Sequence, residues 1–581
     1  MIPLASNIVI QNICITAVVA GTFWFLPAVF RRGLGAIHSA WSAIARRAAV
    51  SILAVAALPL ALRLLLLPVL PVPVPRIHDE FSYLLAADTF ASGRITNPPH
   101  PLWQFFETFH VLPTPTYMSK YPPAQAMFLA IGQVVFGHPW WGVFLSVGVM
   151  CGAAVWALRA WVPPNWALLG GLAIAIQFGV TNYWMNSYWG GAPAAIGGAL
   201  LLGAFGSLKQ YRPLPQKPIR NAVFLALGAG LLLNSRPWEG AILMVPVGLG
   251  LAYWVFKPGF PPFSRKIIQV VVPICVLLMV MGAAMLEYNR RITGNALVLP
   301  YRLCHATYSV APLFLWETRT PAPEFRHAVM KRFYLDVEPA YQDANTLNTF
   351  TGWLAVEKKR LRMIKDILFG NVFLLLCASL LLVLLRRSET RILLAVLSAA
   401  IIALSVESWC QPHYLGPVLV AAAALKLTSL RYLSTFRLWG RRVGLASVTA
   451  VIAFSANGLI QKVAADRPST APFQFQRAAI EKELESTAGS HVVMVRYSND
   501  HVPTHEWVYN HSDIDRSKVV WAREMSHDEN QRLLEYYRDR NVWLLDADQP
   551  NPLIVPYPGA VETVSGRSAA LRPEPPKGQR P

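Results

Sequence analysis

The sequence predicts an all-α polytopic membrane protein of about twelve transmembrane helices, ending in a small α/β unit. Three observations predict it. Of 581 residues, 54% are hydrophobic and 14% charged, against roughly 25% charged in an average soluble protein. That much apolar surface exceeds what one soluble core can hide, because cores stop growing at about 250–300 residues. The basic residues cluster between apolar stretches, and the composition changes after about residue 464. The formal net charge of +20 is therefore no nucleic-acid footprint, which needs Lys and Arg gathered on one soluble face. The six Cys show no CxxC or metal-ligand spacing, so neither a zinc site nor a disulfide framework is expected.

Stretches long enough to cross about 30 Å of hydrocarbon lie near 8–30, 48–70, 138–160, 164–183, 190–208, 220–235, 237–256, 266–288, 367–387, 390–408, 411–428 and 441–463. The first is too long for a signal-peptide core and lacks a basic segment before it, so it reads as a retained span. Five short basic connections follow: Arg31 to Arg47, Lys209 to Arg220, Lys257 to Lys266, Arg386 to Arg391, and Lys426 to Arg442. All five share one side when twelve spans are drawn, and the positive-inside rule makes that side the cytoplasm. Three large segments then face outward: 71–137, 289–366 and everything after 464. The run Lys358-Lys-Arg-Leu-Arg362 opposes this assignment, but it lies in a loop longer than the rule's range of about 60 residues. Tyr121–Gly137 is apolar yet too short to span and is expected along the membrane surface. The expected organisation is an N-terminal span with a basic cytoplasmic loop (1–47), a membrane core (48–463) and an extracytoplasmic α/β unit with a disordered tail (464–581). In that unit, His491–Tyr497 and Val542–Asp546 read as strands, and Ser526–Arg540 as a helix opened by a Ser526/Glu529 capping box.

The chemistry-bearing residues gather on the outer face. Asp79 and Glu80 follow the second span and the Pro-rich stretch 68–75. At a membrane boundary such carboxylates suit a general base; the alternative is a solvated pair capping a helix over 81–91. The same loop ends Ser119-Lys120-Tyr121-Pro122-Pro123, where Lys120 is either a phosphate partner or a snorkelling lysine. Arg236 and Glu239 flank an outer turn, where charges are paired or functional. Glu407 to Tyr414, with His413, makes another such turn. The stretch 182–193, with Asn182, Asn186 and Trp189, is aromatic, amide-rich and acid-free: a sugar surface, or an ordinary interfacial belt.

An Asp-Glu pair after an early span, then Tyr83 with the stretch 84–93, then the Tyr121-Pro-Pro helix and the Arg236-Pro turn, resembles the GT-C superfamily of membrane glycosyltransferases. Within it, the bacterial protein-mannosyltransferase-like and lipid A aminoarabinose-transferase-like branch is the most similar. The resemblance covers about residues 48–430. It implies a polyprenyl-phosphate-sugar donor, a lipid, glycan or protein acceptor, an active site on the outer face of the plasma (inner) membrane, and no nucleic-acid partner. It implies Asp79 as the catalytic carboxylate with Glu80 beside it, and Lys120 and Arg236 at the donor phosphate. Tyr83, Tyr121, Asn186, Trp189, Glu239 and His413 complete the expected substrate-binding set. Many members carry a second acid in the next outer loop, where this chain has Asn182 and Asn186. Hard divalent cations want carboxylate oxygens, so neither metal nor other cofactor is expected. A lipid-linked sugar transporter and a non-catalytic envelope-assembly protein are the competing classes; the charges gather at one face and not at the midplane, where a transporter places them.

Overall fold

The computed structural model describes residues 17–209, 217–259, 261–342, 349–437, 443–465 and 472–558, with the single positions 11, 14, 347 and 440. The expected tail beyond 558, the start of the first span, and the basic residues Arg212, Arg441 and Arg442 lie outside them. The principal helices are α1 (Pro27–Arg46), α2 (Ala48–Leu65), α3 (His78–Ala91), α4 (Pro123–Phe136), α5 (Trp140–Leu158), α6 (Pro164–Gly179), α7 (Ala192–Lys209), α8 (Pro218–Leu233), α9 (Pro237–Phe256), α10 (Val272–Thr293), α11 (Pro300–Tyr308), α12 (Phe350–Leu368), α13 (Gly370–Ser379), α14 (Ser388–Val406), α15 (Leu419–Ser434), α16 (Val443–Ala465), α17 (Pro472–Ser486) and α18 (His527–Tyr536).

Among the described residues, seven helical stretches are long and apolar enough to cross a membrane. They cover α2, α5, α7, α9, α10 with the turn before it, α14, and Pro412–Ser434. The expected spans at 220–235, 367–387 and 441–463 coincide with shorter apolar helices, and the one at 164–183 with the 16-residue α6. Large apolar side chains such as Leu53, Leu249, Tyr253, Phe256, Met279 and Val280 stay exposed on these helices, as lipid-facing residues must. The basic connection after residue 30 is helix α1 and not a loop: Leu26 ends one helical stretch, and Pro27 opens the next from its N1 position.

Arg63 corrects the reading of 48–70 as a plain apolar span. Its side chain is fully buried in α2, with its guanidinium carbon 4.9 Å from the Trp140 ring centre. Its nitrogens donate to Asn186 Oδ1 at 2.8 Å, Leu70 O at 2.7 Å and Pro71 O at 2.9 Å. A buried charge needs every donor engaged, and these bonds fasten the chain where α2 ends and the 182–191 turn begins. The Lys358–Arg362 run has a similar explanation in part. On α12, Arg360 is buried, pairs with Glu357 at 3.0 Å, and donates to Leu404 O and Ser408 O. It is a packing residue, not a sidedness signal.

In the C-terminal unit a four-stranded sheet runs β4 (Val519–Arg523), β3 (His491–Arg496), β5 (Asn541–Asp546), β6 (Ile554–Pro556) in spatial order. β4, β3 and β5 are mutually parallel and the edge strand β6 is antiparallel. The expected strands and capping box are present; α18 stops at Tyr536 rather than Arg540. The continuous burial of His491–Val495 follows from a parallel strand covered on both faces. Val493 and Val495 pack with Phe473, Ile480 and Leu484 of α17. Val492 and Met494, on the opposite face, pack with Phe81, Leu85, Leu102 and Phe106 of the 71–137 segment. The loop carrying Asp79 is thus the second layer of this small unit.

Candidate active site

The Pro-rich stretch 71–75 cannot join a helix, so α3 begins at His78 behind an extended Ile77. Asp79 and Glu80 occupy its first turn, where unpaired N–H groups favour carboxylates. Consecutive helical residues point about 100° apart, and this separates the two. Asp79 faces a cavity of about 420 Å³ with a quarter of its side chain exposed. Glu80 turns inward and is 1% exposed. Its Oε2 accepts from the Arg76 backbone N–H at 3.3 Å, and its Oε1 has no partner among the described residues. Burial lifts its carboxyl to about 8 against a smaller opposing pull from Arg76.

Asp79 Oδ1 accepts a hydrogen bond from the Tyr121 hydroxyl, which also lies 2.9 Å from His110 Nδ1. Asp79 Oδ2 has no hydrogen-bond partner among the described residues. A two-residue hairpin ladder, β1 (Val111–Leu112) with β2 (Met118–Ser119), delivers this arrangement. His110, just before it, adopts φ +62, a conformation uncommon outside glycine. Its carbonyl is held by Ser82 Oγ at 2.6 Å and Lys120 N at 3.1 Å. The hairpin therefore places Lys120 and Tyr121 opposite α3, with the Tyr121 ring stacked on Tyr83 at 4.5 Å. Burial and the Lys120 charge hold His110 and His78 far below the usual histidine range, so both are neutral donors or acceptors here.

Three cations line the same cavity without an ion pair among the described residues: Arg76, Lys120 and Arg236. The Lys120 ammonium lies 4.8 Å from the Tyr301 ring centre and 5.3 Å from that of Tyr121. Arg236 caps α9, its guanidinium carbon 3.9 Å over Tyr414. Arg302, also in the wall, is satisfied by Glu317 at 2.7 Å. Two further acids join them from distant parts of the chain, the buried Glu338 and the half-buried Glu407. Glu338 accepts from Ser309 Oγ at 2.5 Å, and burial raises its pKa. Glu407, the C-cap residue of α14, lines the same wall.

Of the residues singled out in the sequence, Asp79, Tyr83, Lys120, Tyr121, Trp189, Arg236, Glu239 and His413 line this one cavity. His413 Nδ1 sits 3.0 Å from the Tyr183 hydroxyl, and its ring 4.8 Å from Trp189. Asn186 does not line the cavity: besides receiving Arg63, its amide donates to Val180 O and Asn182 O. Glu80 does not line it either. Arg236 and Glu239 form no ion pair with each other within 4 Å. Arg76, Tyr301, Glu338 and Tyr414 were not singled out. Glu338 and Tyr301 arrive through tertiary folding of the 289–366 segment and carry no local signal.

No family model matches the chain, and no curated protein matches it in sequence. Among solved structures it is similar to ArnT from Cupriavidus metallidurans bound to undecaprenyl phosphate, at 12% identity and a TM-score of 0.44, covering 84% of this chain and 92% of that one. The apo form of that protein gives a TM-score of 0.43 at the same identity and coverage. The Archaeoglobus fulgidus oligosaccharyltransferase tethered with an acceptor peptide gives 0.41 at 12% identity, covering 86% of this chain and 68% of that one. Likeness at this level carries no functional argument, so the reading below rests on this chain's own residues.

Proposed function

We propose that the chain is an integral membrane glycosyltransferase that moves a sugar from a polyprenyl-phosphate donor to a lipid, glycan or protein acceptor on the outer face of the plasma (inner) membrane. The observation that carries it is one cavity holding a carboxylate with a free oxygen, Asp79, together with the unpaired cations Arg76, Lys120 and Arg236. Asp79 takes the proton of the acceptor hydroxyl or amine as its oxygen or nitrogen bonds to the anomeric carbon. The bond from that carbon to the donor phosphate breaks, and its electron pair stays on the phosphate. Lys120 and Arg236 stabilise the charge that develops there. Tyr121 fixes one oxygen of Asp79 and leaves Oδ2 for the proton. With a single such base and no second carboxylate assigned as nucleophile, the reaction inverts the anomeric centre. The membrane core at 48–463 then holds the catalytic residues, and the unit after 464 braces the first loop.

Donor binding tests the assignment before the sugar is known. Purified protein in detergent should bind polyprenyl phosphate, and Lys120→Met or Arg236→Gln should weaken it by about tenfold or more, as loss of a charge-assisted contact does. Unchanged affinity in both variants returns Lys120 and Arg236 to packing roles. A transporter would instead keep its activity in Asp79→Asn.

A further inference from the structure

A second cleft of about 460 Å³ opens between the 289–366 segment and the C-terminal unit. It is separate from the cavity above but shares its walls. The short helix Ala328–Arg332 turns Arg332 into the cleft, and the chain runs straight on into Phe333, Val337 and Glu338 of the first cavity. On the other side, Tyr497, Ser498, Asn499 and His501 line the cleft, and Thr504 lines the cavity.

The charges of the cleft do not cancel. Its acids are engaged: Glu524 with Arg496, and Glu529 with Ser526 in the capping box. Arg523, 2% exposed at the base, is balanced by Glu506 at 2.6 Å and donates from Nε to Glu107 O at 2.8 Å. Arg326 and Arg332 remain, both exposed and neither in an ion pair among the described residues. Arg326 lies over Trp103, and Arg332 donates only to the carbonyls of Asn499 and His501. Two buried groups in the same walls also lack partners: Nη1 of Arg523 and Nε2 of His501, a residue 4% exposed. A buried polar group left unpaired costs about 1–3 kcal/mol, so the Arg523 donor and the His501 ring nitrogen, whose other nitrogen is held by Asp548 at 2.7 Å, are both placed to meet something that enters. The remaining lining is an aromatic ring, Tyr497, and small polar groups such as Ser498 and Asn499.

We propose that this cleft is a second ligand site, for a sugar unit carrying an oxyanion. The guanidiniums of Arg326 and Arg332 meet the anion, as planar forks suited to carboxylate or phosphate. The Tyr497 ring takes the apolar face of the sugar, and Asn499 and His501 take its hydroxyls. The volume is within the usual 300–1,000 Å³ of small-ligand sites. Binding here needs neither Asp79 nor a lipid donor, so the site stands or falls independently of the transfer reaction.

Isothermal titration of the full-length protein in detergent tests it with four probes: glucuronic acid, glucose 6-phosphate, glucose and inorganic phosphate. At least one of the acidic sugars should bind tenfold or more tighter than both glucose and inorganic phosphate, and whether the carboxylate or the phosphate sugar leads identifies the oxyanion. The double variant Arg326→Gln/Arg332→Gln should lose at least tenfold of this binding, and Arg516→Gln, at an exposed arginine outside the cleft, should lose nothing. Asn499→Trp, at an exposed position that meets Arg332 only through its backbone carbonyl, fills the cleft with both arginines retained; it should also abolish binding and covers a misfolded double variant. The proposal is overturned if no acidic sugar outbinds glucose and inorganic phosphate, or if the cleft variants bind normally.

Discussion

At Asp79 the account commits itself to a single side chain. Asp79→Asn keeps the shape and the Tyr121 contact but removes the base, so turnover should fall by about 10²–10⁴ with the melting temperature little changed. Glu80→Gln should cost much less turnover, because Glu80 points away from the cavity. Its signature belongs to stability. A carboxyl raised to about 8 in the folded protein binds a proton that the unfolded chain releases near its ordinary value of about 4.3. Between those values the folded state holds more protons, so stability falls as pH rises and levels off above about 8. Thermal unfolding from pH 5 to 8 should show that decline in the parent and a shallower one in Glu80→Gln; equal slopes would remove Glu80 as its source. The neighbouring Asp-Glu pair was visible in the sequence, and helical geometry foretold that the two would diverge. Asn186 lies off the cavity because Arg63, the sixteenth residue of α2 and fully buried, donates to its side-chain oxygen, a tertiary contact with no local signal.

Among the elements, α4 was legible as apolar and too short to span: 14 residues reach about 21 Å at 1.5 Å per residue. What the sequence hid is how it is held. Gly132 of α4 and Gly142 of α5 bring the two backbones into contact, and a Cβ on Gly142 would overlap the carbonyl of Phe128. Gly142→Ala should therefore destabilise by about 1–3 kcal/mol, the usual cost of overpacking, and a melting temperature equal to the parent's would refute the close approach. The strands of the C-terminal unit were half legible. β3 and β5 announce themselves as apolar runs, but Val519–Arg523 includes Trp521 and Arg523 and reads as nothing in particular until Arg523 finds Glu506. Nor does any local pattern foretell that Tyr509 stacks on Phe81 at 4.2 Å and meets His78 Nδ1 at 2.8 Å, beside Asp79. Tyr509→Phe removes that hydrogen bond alone and should lower stability by about 0.5–1.5 kcal/mol.

For the whole molecule, hydropathy gave the membrane class and the order of the apolar segments, whereas the convergence of 71–137, 236–239, 289–366 and 407–414 on one cavity is tertiary and was open to sequence only as a shared outer face. That shared face is testable. Ser92 and Ser486, both exposed in the structure, should react as cysteines with an impermeant reagent on intact cells in a background lacking the natural cysteines; protection of both would reverse the sidedness and take the cavity with it. The central claim, sugar transfer by Asp79, is met most directly by mass spectrometry of envelope lipids and glycans from cells with the gene, without it, and with Asp79→Asn in its place. The account predicts a species one sugar residue lighter when the gene is absent, restored by the parent and not by Asp79→Asn. Identical profiles in all three strains, or full restoration by Asp79→Asn, would contradict it.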